Sequence, residues 1–157
     1  MTNPALVFKL TRESLWLSQS EAADWLGVSK RTLQEWESGG EPVPPKRREQ
    51  LDALTATFWG LVGKVTTQAL DVTPRPDVVA LVCYTNDRDY LEAVDRCEQL
   101  PTSKLHRMLL HEVAQAIEQR GLTVALVAFT HVAYADWLGP RQDSPAMRAQ
   151  WASERVD

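Results

Sequence analysis

Two short stretches put cations where a helix favours them least. In GVSKRT, Gly27 to Thr32, Ser29 has the type and place of an N-cap, so Lys30 and Arg31 fall in the first helical turn. In PPKRREQ, Pro45 suits the first helical position, and Lys46, Arg47 and Arg48 follow it. A helix start is the positive pole of its dipole, so each exposed cation there costs on the order of a few tenths of a kcal/mol. A polyanion would offset that cost, because phosphate oxygens pair with Lys and Arg and accept from the free N–H groups of a helix start. The plain alternative is a pair of solvated basic turns.

Little else in the chain has the types and spacing for chemistry. His106 and His111 lie five apart on one expected helix, the wrong spacing for two ligands on a face, and His131 begins another segment. No Cys/His cluster has zinc spacing, so the expectation is no metal and no cofactor. There is no Gly-rich phosphate loop and no nucleophile elbow, which argues against an enzyme. Asp87, Asp89, Glu92, Asp95 and Glu98 form an acidic stretch that reads as a solvated face.

The 157 residues, 44% hydrophobic and 24% charged, describe an ordinary globular chain of one domain or two small ones. The longest apolar runs, VVALVCY and LTVALVAF, are too short to cross a bilayer. Cys83 and Cys97 make no disulfide framework, and reduced thiols in the cytoplasm are expected. The net charge of −4 is unevenly spread: up to Ala69 there are eight basic and eight acidic residues, so the acidic excess lies in the second half. A neutral first half with cations gathered at two helix starts is compatible with a nucleic-acid partner.

The elements that must position these residues are short helices with tight punctuation. We expect helices over Ala5–Leu15 and Ser18–Leu26, the second opened by Ser18 and Glu21 at capping-box spacing. Gly27 ends it, Ser29 caps the third, and Gly39-Gly40 ends that one. A longer helix runs from Pro45 to about Ala69, with Leu51, Leu54, Phe58, Leu61 and Val65 on one apolar stripe. DVTPRPD, residues 71–77, reads as a linker. Beyond it, Val78–Tyr84 and Leu122–Phe129 have the near-unbroken apolar composition of strands buried on both faces. Helices are expected between them, over Asp87–Cys97 and Ser103–Arg120, and again over His131–Leu138. The stretch from Gly139 is polar and is expected to be partly disordered, with Met147–Trp151 able to dock as a turn of helix. The fold class is therefore α+β. An all-helical segment (1–70) is followed by an α/β region (78–138) and a polar tail (139–157). Two strands alone make no stable sheet. Either helices cover them, or a second copy completes the sheet and makes this half a dimerisation device; the second option is the expectation.

LSQSEAADWLGVSKRTLQEWESG, Leu17 to Gly39, resembles the helix-turn-helix of the Cro/repressor (Xre) family. The matched positions are Leu17, Ser18, Gln19, Glu21, Ala23, Leu26, Gly27, Val28, Ser29, Thr32, Trp36, Glu37 and Gly39. Ala23 is small where two helices would cross, and Val28, Leu33 and Trp36 are spaced to face a core. That leaves Lys30, Arg31, Gln34 and Glu35 on the outer surface. The resemblance implies that the start of this helix enters the DNA major groove, with contacts from Ser29, Lys30, Arg31, Thr32, Gln34 and Glu35, and that Gln19 of the preceding helix touches a phosphate. It further implies backbone contacts from Lys46, Arg47 and Arg48, and a structural ion pair between Arg12 and Glu37. Trp16 stands where the family has glycine, so the first turn is expected to differ.

The layout beyond the motif, a long helix and then a small α/β region, resembles the anti-CRISPR-associated regulators. That resemblance implies a homodimeric transcriptional regulator, a repressor of its own operon, on an inverted-repeat operator of double-stranded DNA. An enzyme or ligand sensor built on the α/β region is one rival reading, and two others stay open. One is an antitoxin-type protein whose second half binds a protein partner. The other is RNA binding by the same basic surface, since phosphate contacts do not choose between duplexes.

Overall fold

The computed structural model of the protein describes residues 3–93 and 100–156. It is a mostly helical α+β structure. Four helices come first: α1 (Pro4–Ser14), α2 (Gln19–Leu26), α3 (Lys30–Ser38) and the long α4 (Pro45–Leu70). Then β1 (Val78–Cys83), α5 (Asp87–Ala93), α6 (Ser103–Glu118), β2 (Thr123–Ala128), α7 (His131–Leu138) and α8 (Pro145–Ser153) follow. No helix among the described residues is long and apolar enough to cross a membrane. The chain forms two compact units, Met1–Trp59 and Gly60–Asp157. The division falls inside α4, not in residues 71–77, which hold no helix or strand.

In the first unit each short helix starts and stops on a side chain suited to it. Asn3 caps α1, its Oδ1 accepting from the N–H groups of Ala5 and Leu6. Ser18 and Glu21 form the expected capping box: Ser18 Oγ accepts from Glu21 N–H at 3.2 Å, and Glu21 Oε2 accepts from Ser18 N–H at 2.7 Å. Gly27 (φ 68°) and Gly39 (φ 80°) end α2 and α3 in the left-handed conformation that a side chain disfavours. The core is Phe8, Leu15, Leu17, Ala23, Leu26, Leu33, Trp36, Leu51, Leu54 and Phe58, all nearly inaccessible. Leu51, Leu54 and Phe58 are thus the buried part of the α4 stripe, while Leu61 and Val65, further along, are half-buried.

In the turn after α1, Trp16 takes a left-handed φ of 53°. For a bulky side chain that conformation costs about 1–2 kcal/mol. Its ring packs on the buried Phe58, with centroids 5.8 Å apart, which opposes the strain.

In the second unit β1 and β2 pair in parallel, from Val78 opposite Thr123 to Cys83 opposite Ala128. α5 and α6 lie in the crossover between them, as a parallel pair requires. α6 packs against both strands, and α8 packs against β1. The core gathers Val79, Leu81, Tyr84, Tyr90, Leu105, Leu109, Val113, Ile117, Phe129, Tyr134 and Trp151.

Two expectations change here. The strands are not buried on both faces: Val79 and Leu81 of β1 are buried, but Thr123, Leu126 and Ala128 of β2 are exposed. The polar tail is not disordered over Pro145–Ser153, which is α8, capped by Ser144, with Trp151 fully buried against Phe129 and Tyr134. The docking of Met147–Trp151 is thus part of a longer helix. The helix expected over Asp87–Cys97 is described as far as Ala93. The remainder, including Asp95, Cys97 and Glu98, lies outside the described residues.

Candidate nucleic-acid interface

α3 is placed by what it buries. Leu33 and Trp36 are 0% and 4% exposed, and Trp36 meets Phe8 of α1 edge to face at 6.0 Å. Ala23, 1% exposed, lies in the same core where α2 and α3 pack. With that face committed, Lys30, Arg31 and Gln34 are exposed and Glu35 is half-buried. The four residues assigned to the outer surface therefore lie off the core face.

Ser29 and Thr32 serve the helix itself. Ser29 Oγ accepts from Thr32 N–H at 3.0 Å, and the two hydroxyls share a hydrogen bond of 2.8 Å. This cap fixes the start of α3 and leaves the N–H groups of Lys30 and Arg31 at the positive end of the dipole. The first turns of α3 and α4 hold no acid, whereas α2 has Glu21. Two helix starts thus combine cations with uncompensated dipoles, a field that suits an anion.

Arg31 is held from one side. Its Nε donates to Glu35 Oε1 at 3.0 Å, one helical turn on, while the side chain stays 88% exposed. That arrangement leaves both terminal guanidinium nitrogens for a further partner, such as the O6 and N7 edge of guanine.

Gln34 and Gln19 come together in a way that sequence reasoning missed. Gln34 Nε2 donates to Gln19 Oε1 at 3.0 Å, and Gln19 Nε2 donates to Glu37 Oε2 at 2.9 Å. Glu37 is in turn the partner of Arg12: Nε to Oε1 at 2.5 Å and Nη2 to Oε2 at 3.1 Å. Arg12 Nη1 also donates to the Leu17 carbonyl at 2.5 Å, which ties the turn before α2 to the same group. The Arg12 and Glu37 side chains are 7% and 4% exposed, so the expected structural ion pair is present and buried. Burial pushes the Glu37 carboxyl up. Hydrogen bonds from Arg12 and Gln19, with the charges of Arg12 and Lys9, outweigh it and hold the carboxyl below the ordinary carboxylate value. A surface glutamine on α3 is therefore chained through α2 to a buried, ionised anchor. The contacts cross between helices, and residue spacing alone does not show which side chains will meet there.

At the start of α4, Lys46 and Arg48 are exposed and Arg47 is half-buried, its Nη1 donating to Gln50 Oε1 at 2.9 Å. Pro45 opens the helix as expected, and the N–H groups of Arg47 and Arg48 bond the Pro44 carbonyl. Among the described residues no hydrogen bond or ion pair joins these three side chains to α3. The surface thus has two basic patches, of which only α3 carries the anchored glutamine.

His111 Nε2 shares a hydrogen bond with Gln115 at 2.9 Å, and the His106 ring lies tilted against Tyr84 and Tyr90, with centroids 5.4 and 5.1 Å away. His131 is exposed at the start of α7. No family model matches the chain, and no curated protein matches it.

Proposed function

We propose that the protein is a sequence-specific DNA-binding regulator, a repressor that binds an inverted-repeat operator as a homodimer. The outer face of α3 reads base edges in the major groove, and the starts of α2 and α4 hold the sugar–phosphate backbone. The observation that carries this reading is the chain from Gln34 through Gln19 and Glu37 to Arg12. A solvated face has no need to immobilise a glutamine, whereas readout of an adenine edge needs a donor and an acceptor held in place. Lys30 and Arg31, at an uncompensated helix start beside it, supply the charge that a polyanion would neutralise.

In this reading Arg31 pairs with guanine while Glu35 steadies its Nε, and Gln34 addresses a neighbouring base. Lys46 and Arg48 make phosphate contacts that position the module and carry no sequence information. One module spans only a few base pairs, so a two-fold dimer on an inverted repeat is the arrangement that gives useful specificity, with half-sites about one helical turn (roughly 34–36 Å) apart. RNA suits the site less well, because the A-form major groove is too narrow for a helix.

Selection of the full chain against a random duplex library tests the proposal. Enrichment of an inverted repeat is the expected result. Retention of DNA with no enriched sequence would reduce the protein to a phosphate binder, and no retention at low salt would overturn the reading.

A further inference from the structure

Among the described residues the sheet holds two strands, so β1 and β2 each keep one edge without a strand partner. The two are unlike. α8 packs against β1 and no β1 residue is exposed, whereas Thr123, Leu126 and Ala128 of β2 are exposed, Leu126 at 53%. The direction of the β2 backbone follows from one bond just past the strand: Phe129 N–H donates to the Cys83 carbonyl at 2.8 Å. In a parallel ladder each residue turns its N–H and C=O to the same side, alternating along the strand. Thr123, Ala125 and Val127 therefore face β1, and Val124, Leu126 and Ala128 aim their backbone groups outward. Edges that stay single are normally guarded by a charge, a proline or a bulge. TVALVA has no charge and no proline, and its register with β1 runs residue for residue without a bulge.

We propose that this edge pairs with the same edge of a second copy, antiparallel about a two-fold axis at Leu126, to give a four-stranded sheet in the order β1, β2, β2, β1. A second copy of the same uncharged, unguarded edge is complementary to it: with the axis at Leu126, Leu126 lies opposite Leu126 and Val124 opposite Ala128. Every outward donor then meets an acceptor, about six main-chain bonds in all. The contact is closed and self-complementary, and the apolar Leu126 side chains meet at its centre. The inference rests on the homodimer of the proposed function and adds its surface and register.

Sedimentation of the full chain at micromolar concentration without DNA, with circular dichroism as a check on folding, tests it. The wild type should run at twice the chain mass. Leu126→Lys, which puts a charge opposite its own copy, should run as one chain with its helical signal retained. Single cysteines in a Cys83→Ser, Cys97→Ser background read the register, and they decide the matter if the lysine variant fails to fold. Leu126→Cys should cross-link to itself on mild oxidation, because a hydrogen-bonded pair sets Cα atoms about 5.5 Å apart. Val124→Cys should cross-link with Ala128→Cys and not with itself. A monomeric wild type would overturn both the pairing and the dimer beneath it. A dimer that Leu126→Lys leaves intact, or that cross-links in another register, would overturn the pairing alone.

Discussion

Gln34 on α3 and Gln19 on α2 are joined side chain to side chain at 3.0 Å, and Gln19 is joined onward to the buried Glu37 at 2.9 Å. The bond couples two residues of which one is assigned to bases and the other to the phosphate backbone, so their effects on binding should not add. We expect Gln34→Ala to cost about 1–3 kcal/mol on the selected operator and little on random DNA. Gln19→Ala should cost about 1 kcal/mol, by releasing Gln34. The double variant should lose less than the sum of the two, by about 0.5 kcal/mol or more in a mutant cycle. Strict additivity would show that the bond plays no part in recognition.

Glu37 links the same chain to stability. Its folded carboxyl titrates below the ordinary value of 4.5, so between that value and its folded pKa the unfolded chain binds more protons. The stabilisation is therefore present above about pH 4.5 and is lost as pH falls through the folded pKa. Glu37→Gln should destabilise at pH 7 by up to about 3 kcal/mol, since it leaves the buried Arg12 with only the longer contact to the partly exposed Glu13 carboxylate, at 3.4 Å. It should also flatten the acid limb of the stability profile. Denaturant titrations from pH 7 to pH 3 measure both effects, and a variant with an unchanged acid limb would refute the assignment.

Trp16 offers a separate test of the backbone. Glycine at this position relieves the left-handed strain but forfeits the packing on Phe58, while alanine forfeits the packing and keeps the strain. We expect both to be less stable than the wild type, and Trp16→Ala to be less stable than Trp16→Gly by about 1 kcal/mol. Thermal denaturation ranks them. The reverse order would mean that the turn does not hold a positive φ.

Lys46 and Arg48 are exposed, whereas Arg47 is engaged with Gln50. If the start of α4 meets phosphate, Lys46→Ala and Arg48→Ala should each lower the slope of log affinity against log salt by about one unit, with sequence preference unchanged. Unchanged slopes in both would leave PPKRREQ as a solvated helix start.

Much of the first unit was legible in the residues, because its signals are local. Ser18 with Glu21, Gly27, Ser29, Gly39 and Pro45 act within one turn of where they stand, and the observed helix ends follow them. The positioning of Gln19 was not legible, since the angle between α2 and α3 decides what its amide meets. The φ of Trp16 was not legible for a related reason: its type argues against a left-handed turn, and the packing partner that opposes the strain, Phe58, lies far along the chain. In the second unit the strands and α7 were readable from composition. The tail was misjudged because α8 buries little more than Trp151, Ala152 and Arg148, and a polar helix with so narrow a buried face has no strong periodicity. Burial of β2 was overestimated because an apolar strand reads alike at the centre and at the edge of a sheet.

The central claim is that the outer face of α3 reads base sequence, and the affinity of Arg31→Ala tests it most directly. Binding of the wild type and the variant is measured at one salt concentration on the operator recovered by selection and on a scrambled duplex of equal composition. The account predicts a loss of about 1–3 kcal/mol on the operator and a much smaller one on the scramble. Equal losses on both duplexes, or none on either, would contradict it.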